Sequence, residues 1–169
     1  MSQNPKDSDV RRLYGQFLEA QGKQSQAVAE YEKLVEADAA DPIALNNLAW
    51  QYAMENRSGA VELAEKAHRL APENGSITDT YGWILHLQGD YERALAILER
   101  ALRQSPDNAD VKFHLAATYA KLGNKTRARA ILTDLLETNS AFPSRAEAEE
   151  IARRLRRTAI TGSLAPHCY

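Results

Sequence analysis

Cysteine occurs once, at Cys168, second from the end of a 169-residue chain, so no internal disulfide can form and the redox compartment stays open. No apolar run approaches membrane-spanning length, which excludes direct membrane insertion, and the start, MSQNPKDSDV, lacks the basic and apolar regions of a secretory signal. Read as written, the chain is expected to stay in the compartment where it is made, the cytoplasm. Charge of one sign is lacking too. With 21 Lys plus Arg against 23 Asp plus Glu, the formal net charge of -2 gives no pull toward nucleic acid or anionic lipid. Phosphate loops, nucleophile elbows, paired histidines on one helix and cysteine clusters are missing, so the expectation is no enzyme, no cofactor and no metal. His167-Cys168 falls at the chain end, where nothing would hold a catalytic geometry. Aromatics make up 7% of the chain, and tryptophan occurs only at Trp50 and Trp83.

What is present is repetition within an ordinary globular composition, 44% hydrophobic and 26% charged. The stretch Thr78–Pro106 is a helix, a turn and a second helix. Tyr81, Gly82 and Leu85 share one face, Gly89-Asp90 breaks and recaps the chain, and Ala94, Leu98 and Ala101 make a second face before Pro106. Gly15, Ala49, Gly82 and Ala116 form one column of small residues, spaced by 34, 33 and 34. Ala27, Ala60, Ala94 and Ala128 form another, spaced by 33, 34 and 34, so the missing residue lies in the turn between Ala49 and Ala60. Small residues at fixed spacing are what closely crossing helices in a stack require.

On these residues, with Pro72 and Pro106 closing the second and third units, the chain resembles the tetratricopeptide repeat family. The family's early tryptophan is replaced by Arg11, Leu45, Thr78 and Lys112, and the first and fourth units lack the closing proline. The resemblance implies an all-α, right-handed α-solenoid of four helical hairpins plus a C-terminal capping helix. The expected division is a polar lead at 1–8, repeats at about 9–41, 42–74, 75–108 and 109–141, a cap at 142–157 and a flexible tail at 158–169. For the cap, Ser144 and Glu147 make a capping box, and Ala148, Ile151, Ala152 and Leu155 mark one apolar face. Arg153, Arg154, Arg156 and Arg157 read as a solvated face, with Glu149–Arg153 and Glu150–Arg154 as four-residue pairs. No cap precedes the first repeat, whose Leu13, Phe17 and Val28 are expected to include uncovered surface, so either self-association through that end or an N-terminal extension is expected.

Each tryptophan follows its small-column residue, which turns it about 100° away from the packing face. In the family this strip of the first helix faces the concave groove, so the resemblance implies a site for a protein or peptide partner. The strip holds Arg12, Gln16 and Glu19, then Asn46, Trp50 and Met54, then Asp79, Trp83, His86 and Leu87, then Phe113, Ala117 and Lys121. Trp50, Trp83 and Phe113 would make an aromatic ladder beside Asn46 and Asp79, suited to a segment with apolar anchors and a basic residue. Two alternatives stand beside this: tryptophans that only pack between repeats of a spacer, and a metal or catalytic site at Asp79, His86 and His114. More narrowly, ALNNLAW, DTYGWIL and AFPSRAEAEEIARRL resemble the C-terminal repeats of the lipoproteins of bacterial exosortase (PEP-CTERM) and exopolysaccharide systems. A fragment of such a chain would be periplasmic or outer-membrane-associated.

Overall fold

The computed structural model describes residues 5–138 and 141–161, with side chains described for 7–138 and 141–157. Among these residues are nine helices and no strand: α1 Pro5–Ala20, α2 Gln24–Ala37, α3 Pro42–Met54, α4 Ala60–Leu70, α5 Gly75–Leu87, α6 Tyr91–Gln104, α7 Ala109–Lys121, α8 Lys125–Thr138 and α9 Arg145–Thr161. Helix α1 starts within the stretch read as a polar lead, at a proline whose missing N–H is no loss in a first turn. Helix α9 runs on to Thr161; the rest of the expected tail, from 162, lies outside the described residues.

Short polar side chains start the first helix of each later hairpin. Asp41 accepts from the N–H groups of Ile43 and Ala44 at 2.9 and 3.1 Å, and Asn74 from those of Ser76 and Ile77 at 3.1 and 3.2 Å. Asn108 accepts from Asp110 and Val111 at 2.9 and 3.3 Å. Inside the hairpins the chain turns through a left-handed residue at Gly22, Asn56, Gly89 and Gly123. Asparagine tolerates that conformation better than other residues with a Cβ. The loop after Asn56 is the one that is a residue short, and Gly59 (φ 91°) makes a second left-handed step into α4.

The pairs α1–α2, α3–α4, α5–α6 and α7–α8 pack as hairpins, and each stacks on the next. First helices touch along the stack, α3 on α5, α5 on α7 and α7 on α9, while no two second helices pack on each other to that extent. The first helices therefore line the inner side of the solenoid. Both small columns are buried. A Cβ built on Gly15 would stand 2.7 Å from the Tyr31 ring, and one on Gly82 would stand 2.7 Å from Leu98 Cγ. One core runs from the second repeat through the fourth and takes in Ala148, Ala152 and Leu155 of α9, so the last helix covers the C-terminal end. On its outer side Glu149 pairs with Arg145 and Glu150 with Arg153, each at 3.0 Å, one partner earlier than the sequence pattern paired them.

The other end is open. Val10, Leu13, Tyr14 and Phe17 of α1 are 65%, 64%, 49% and 55% exposed. In the later repeats the places equivalent to Val10, Tyr14 and Phe17 are all buried: Ala44, Ile77 and Val111; Leu48, Tyr81 and Leu115; Gln51, Ile84 and Thr118. These columns face the preceding repeat, as the bonds from Gln51 back to Glu19 and between His86 and Thr118 show. Val28, expected among the uncovered residues, is buried, because α3 closes over α2.

Candidate functional site

Two groups of the strip residues come together on the inner side. The first lies where α1, α3 and α5 meet, in a cleft of about 580 Å³ lined by Glu19, Asn46, Asn47, Trp50, Gln51 and Met54, with Thr80 opposite. Gln51 is only 4% exposed. Its Nε2 donates to the Glu19 carboxylate, and its Oε1 is enclosed without a partner. Asn46 Oδ1 is likewise enclosed and unpartnered. Thr80 Oγ1 donates to the Ser76 carbonyl at 3.0 Å. Beneath the cleft Tyr31 is buried beside Glu19 and Asn47, and burial together with the Glu19 carboxylate pushes its phenol up. Trp50 is half-buried, and no other ring stacks on it among the described residues.

The second group joins α5 to α7. Trp83 stacks on His86 and on His114, with centroids 4.4 and 4.1 Å apart and planes 17° from parallel in each case. Phe113 lies tilted beside Trp83 at 5.8 Å. His114 Nδ1 is 2.9 and 3.0 Å from the two Asp79 carboxylate oxygens, to which it donates. The Thr118 hydroxyl donates to the His114 carbonyl at 2.8 Å, so it accepts from His86 Nδ1, also 2.8 Å away. That puts a proton on His86 Nδ1, so its neutral form is the Nδ1–H tautomer.

Burial, with help from Lys121 and His114, pushes His86 down to about 4. As pH falls through the ordinary histidine range near 6.5, the unfolded chain takes up a proton that the folded chain refuses until about 4. The stabilisation this gives is complete above 6.5 and is lost on the way down to 4. Melting temperature against pH should therefore fall less steeply in His86→Gln than in the wild type over that window. Parallel profiles would remove His86 from the account.

The expected site residues thus divide. Asn46, Trp50 and Met54 share the cleft. Asp79 and Trp83 are half-buried in the ring cluster, where Asp79 holds His114. His86, Phe113 and Ala117 are 7%, 1% and 4% exposed, so they form the floor and give a ligand almost no surface. This corrects the ladder: Phe113 adjoins Trp83 but as core. Of the alternative metal trio, Asp79 is hydrogen-bonded to His114 while Trp83 stands between His114 and His86, and among the described residues no three His, Cys, Asp or Glu side chains form a group that could hold an ion. Asn47 and Thr80 enter the cleft from positions where some family members grip a terminal carboxylate, whereas Gln51 belongs to the cleft without being on the expected strip. For Gln51 a signal exists, because Gln51 and Thr118 are the polar members of a column otherwise held by Phe17 and Ile84.

Two family models, each described as a tetratricopeptide repeat, match the chain, one over residues 85–150 and the other over 2–42 and 51–109, which is more than half of it. The chain belongs to the tetratricopeptide repeat family. Among curated members of the family, the TPR repeat-containing protein PA4667 of Pseudomonas aeruginosa is 31% identical over 117 residues, covering 68% of this chain and 20% of that protein. Across the three curated relatives matched, the chain spans 13% to 38% of their length. Of solved tetratricopeptide structures, Pseudomonas aeruginosa PilF superposes with a TM-score of 0.77 at 24% identity, covering 90% of this chain and 71% of that one. The first TPR domain of Spaghetti (RPAP3), bound to the HSP90 peptide SRMEEVD, gives 0.66 at 22% identity, covering 73% and 98%. Tetratricopeptide proteins are generally scaffolds rather than catalysts. Among the described residues no helix is long and apolar enough to cross a membrane.

Proposed function

We propose that the chain is a protein-interaction scaffold whose inner groove takes a peptide or protein segment at the cleft around Trp50. The observation that carries this is the cleft that sets the half-buried indole of Trp50 beside two enclosed, unpartnered amide oxygens, Asn46 Oδ1 and Gln51 Oε1. Buried acceptors without partners are uncommon and costly, and a segment crossing the cleft would supply donors. That the Spaghetti domain is bound to a peptide supports peptide binding as the reading for this fold. As a context we propose a bacterial secretion or exopolysaccharide assembly, on the narrower resemblance of ALNNLAW and DTYGWIL. The test is to select binders from a peptide library and titrate them by calorimetry against wild type and Trp50→Ala. A spacer without a ligand would yield no binder that depends on Trp50.

Acidic chaperone tails are not the expected ligand. At the positions where some family members grip a terminal carboxylate stand Arg12, Gln16, Asn47, Ser76 and Thr80. The one cation among them, Arg12, is held by Asp9 at 2.7 Å and Asp41 at 2.8 Å. The peptide SRMEEVD should show no appreciable binding, and micromolar affinity would overturn this.

We also propose that the open face of α1 pairs with a second copy of the chain. Its apolar columns are the ones that make every repeat interface within the molecule, and α9 closes the opposite end. Sedimentation should show concentration-dependent association that Leu13→Glu with Phe17→Glu abolishes. Identical behaviour of wild type and variant would count against it.

A further inference from the structure

We propose that the cleft around Trp50 reads a lysine or arginine side chain of the bound segment, an inference that rests on the groove reading above. Gln51 has one orientation available. Turning its amide would set Oε1 against the Glu19 carboxylate, so Nε2 stays on Glu19 and Oε1 is left without a partner at the floor of the cleft. Asn46 Oδ1 adds a second acceptor, and Thr80, its proton given to Ser76, adds a third. Glu19 is the only ionisable group among the lining residues, and no cation stands with it. Asn47 lies beside Tyr31, its Nδ2 enclosed without a hydrogen-bond partner.

A cleft whose one charge is the Glu19 carboxylate, with no cation among its lining residues, repels an anionic ligand and leaves the acceptors unmet by a neutral apolar one. An ammonium, with three donors, or a guanidinium, with five, meets them. Bonds to a charged donor are roughly twice as strong as neutral ones, and more so out of water. Trp50 and Met54 line the same cleft, so a cation bound there has an indole beside it and its stem an apolar side chain. In the next repeat the equivalent space beside Trp83 is filled by His86 and His114.

The test uses peptides selected from a random phage-displayed library on the immobilised chain, then synthesised with each Lys or Arg in turn replaced by norleucine. Calorimetry is run against wild type, Trp50→Ala and Glu19→Gln, the last retaining an acceptor for Gln51 and checked for an unchanged melting curve. One basic position is expected whose replacement weakens wild-type binding by about tenfold or more. Against Glu19→Gln the same replacement should cost less than about threefold, because the charge it pairs with is gone. Peptides weakened by Trp50→Ala yet indifferent to norleucine at every position would overturn the cation pocket and leave the groove standing. If no peptide is selected, or if none is weakened by Trp50→Ala, the groove reading falls and the pocket falls with it.

Discussion

Gly82→Leu is expected to destabilise the chain by about 3 kcal/mol, the upper end for overpacking a tight crossing. Even a methyl group at Gly82 would stand 2.7 and 2.8 Å from Leu98 Cγ and Cδ2 and 3.3 Å from Ile97 Cγ2. Leu98 is fully buried and has no solvent to retreat into, so the added volume must part α5 from α6. Both are central to the stack, and each also packs on a neighbouring hairpin. The melting temperature should fall by roughly 10 °C. Leu87→Ala, at an exposed position five residues further along the same helix, should stay within about 0.5 kcal/mol of wild type. Equal melting temperatures for Gly82→Leu and wild type would remove Gly82 from the crossing.

Replacing the two tryptophans separates binding from stability. Trp50→Ala should cost about 2 kcal/mol in affinity for a selected peptide, roughly thirtyfold, because truncating a central aromatic anchor commonly costs that much. Its melting curve should change little, since no ring stacks on Trp50. Trp83→Ala should do the reverse. It removes the plate on which His86 and His114 stack between repeats, at a cost of about 2 kcal/mol in stability, and leaves the peptide contact largely intact. Loss of binding with Trp83→Ala at unchanged stability would invert the assignment.

The architecture was legible because it depends on residues that recur in register. Gly15, Ala49, Gly82 and Ala116 are needed wherever two helices cross closely, and periodic spacing shows this without reference to any single contact. What separates Trp50 from Trp83 was not legible on the same terms, because both sit one place after the small column. The difference comes from the neighbours each is given. Trp83 meets His86 on its own helix and His114 on the next; the equivalent residues beside Trp50 are Ala53 and Thr80. A methyl and a hydroxyl in place of two imidazoles leave a cleft where the third repeat has a stack. Sequence spacing alone gave both indoles the same role, and it counted Phe113 as a rung although α5 and α7 enclose it. Gln51 was overlooked for a related reason: a polar residue on a packing column is conspicuous only once its partner across the repeat, Glu19, is known.

The central claim, that a segment lies in the inner groove at α1, α3 and α5, is tested most directly by amide chemical-shift mapping of the ¹⁵N-labelled chain with a selected peptide. The groove account predicts that the largest changes fall on Glu19, Asn46, Asn47, Trp50, Gln51 and Thr80, together with the Trp50 indole N–H, while the Trp83 indole moves little. Changes confined to the outer cleft formed by Glu99, Leu102, Tyr119 and Arg127, or to the open stripe of α1, would contradict it.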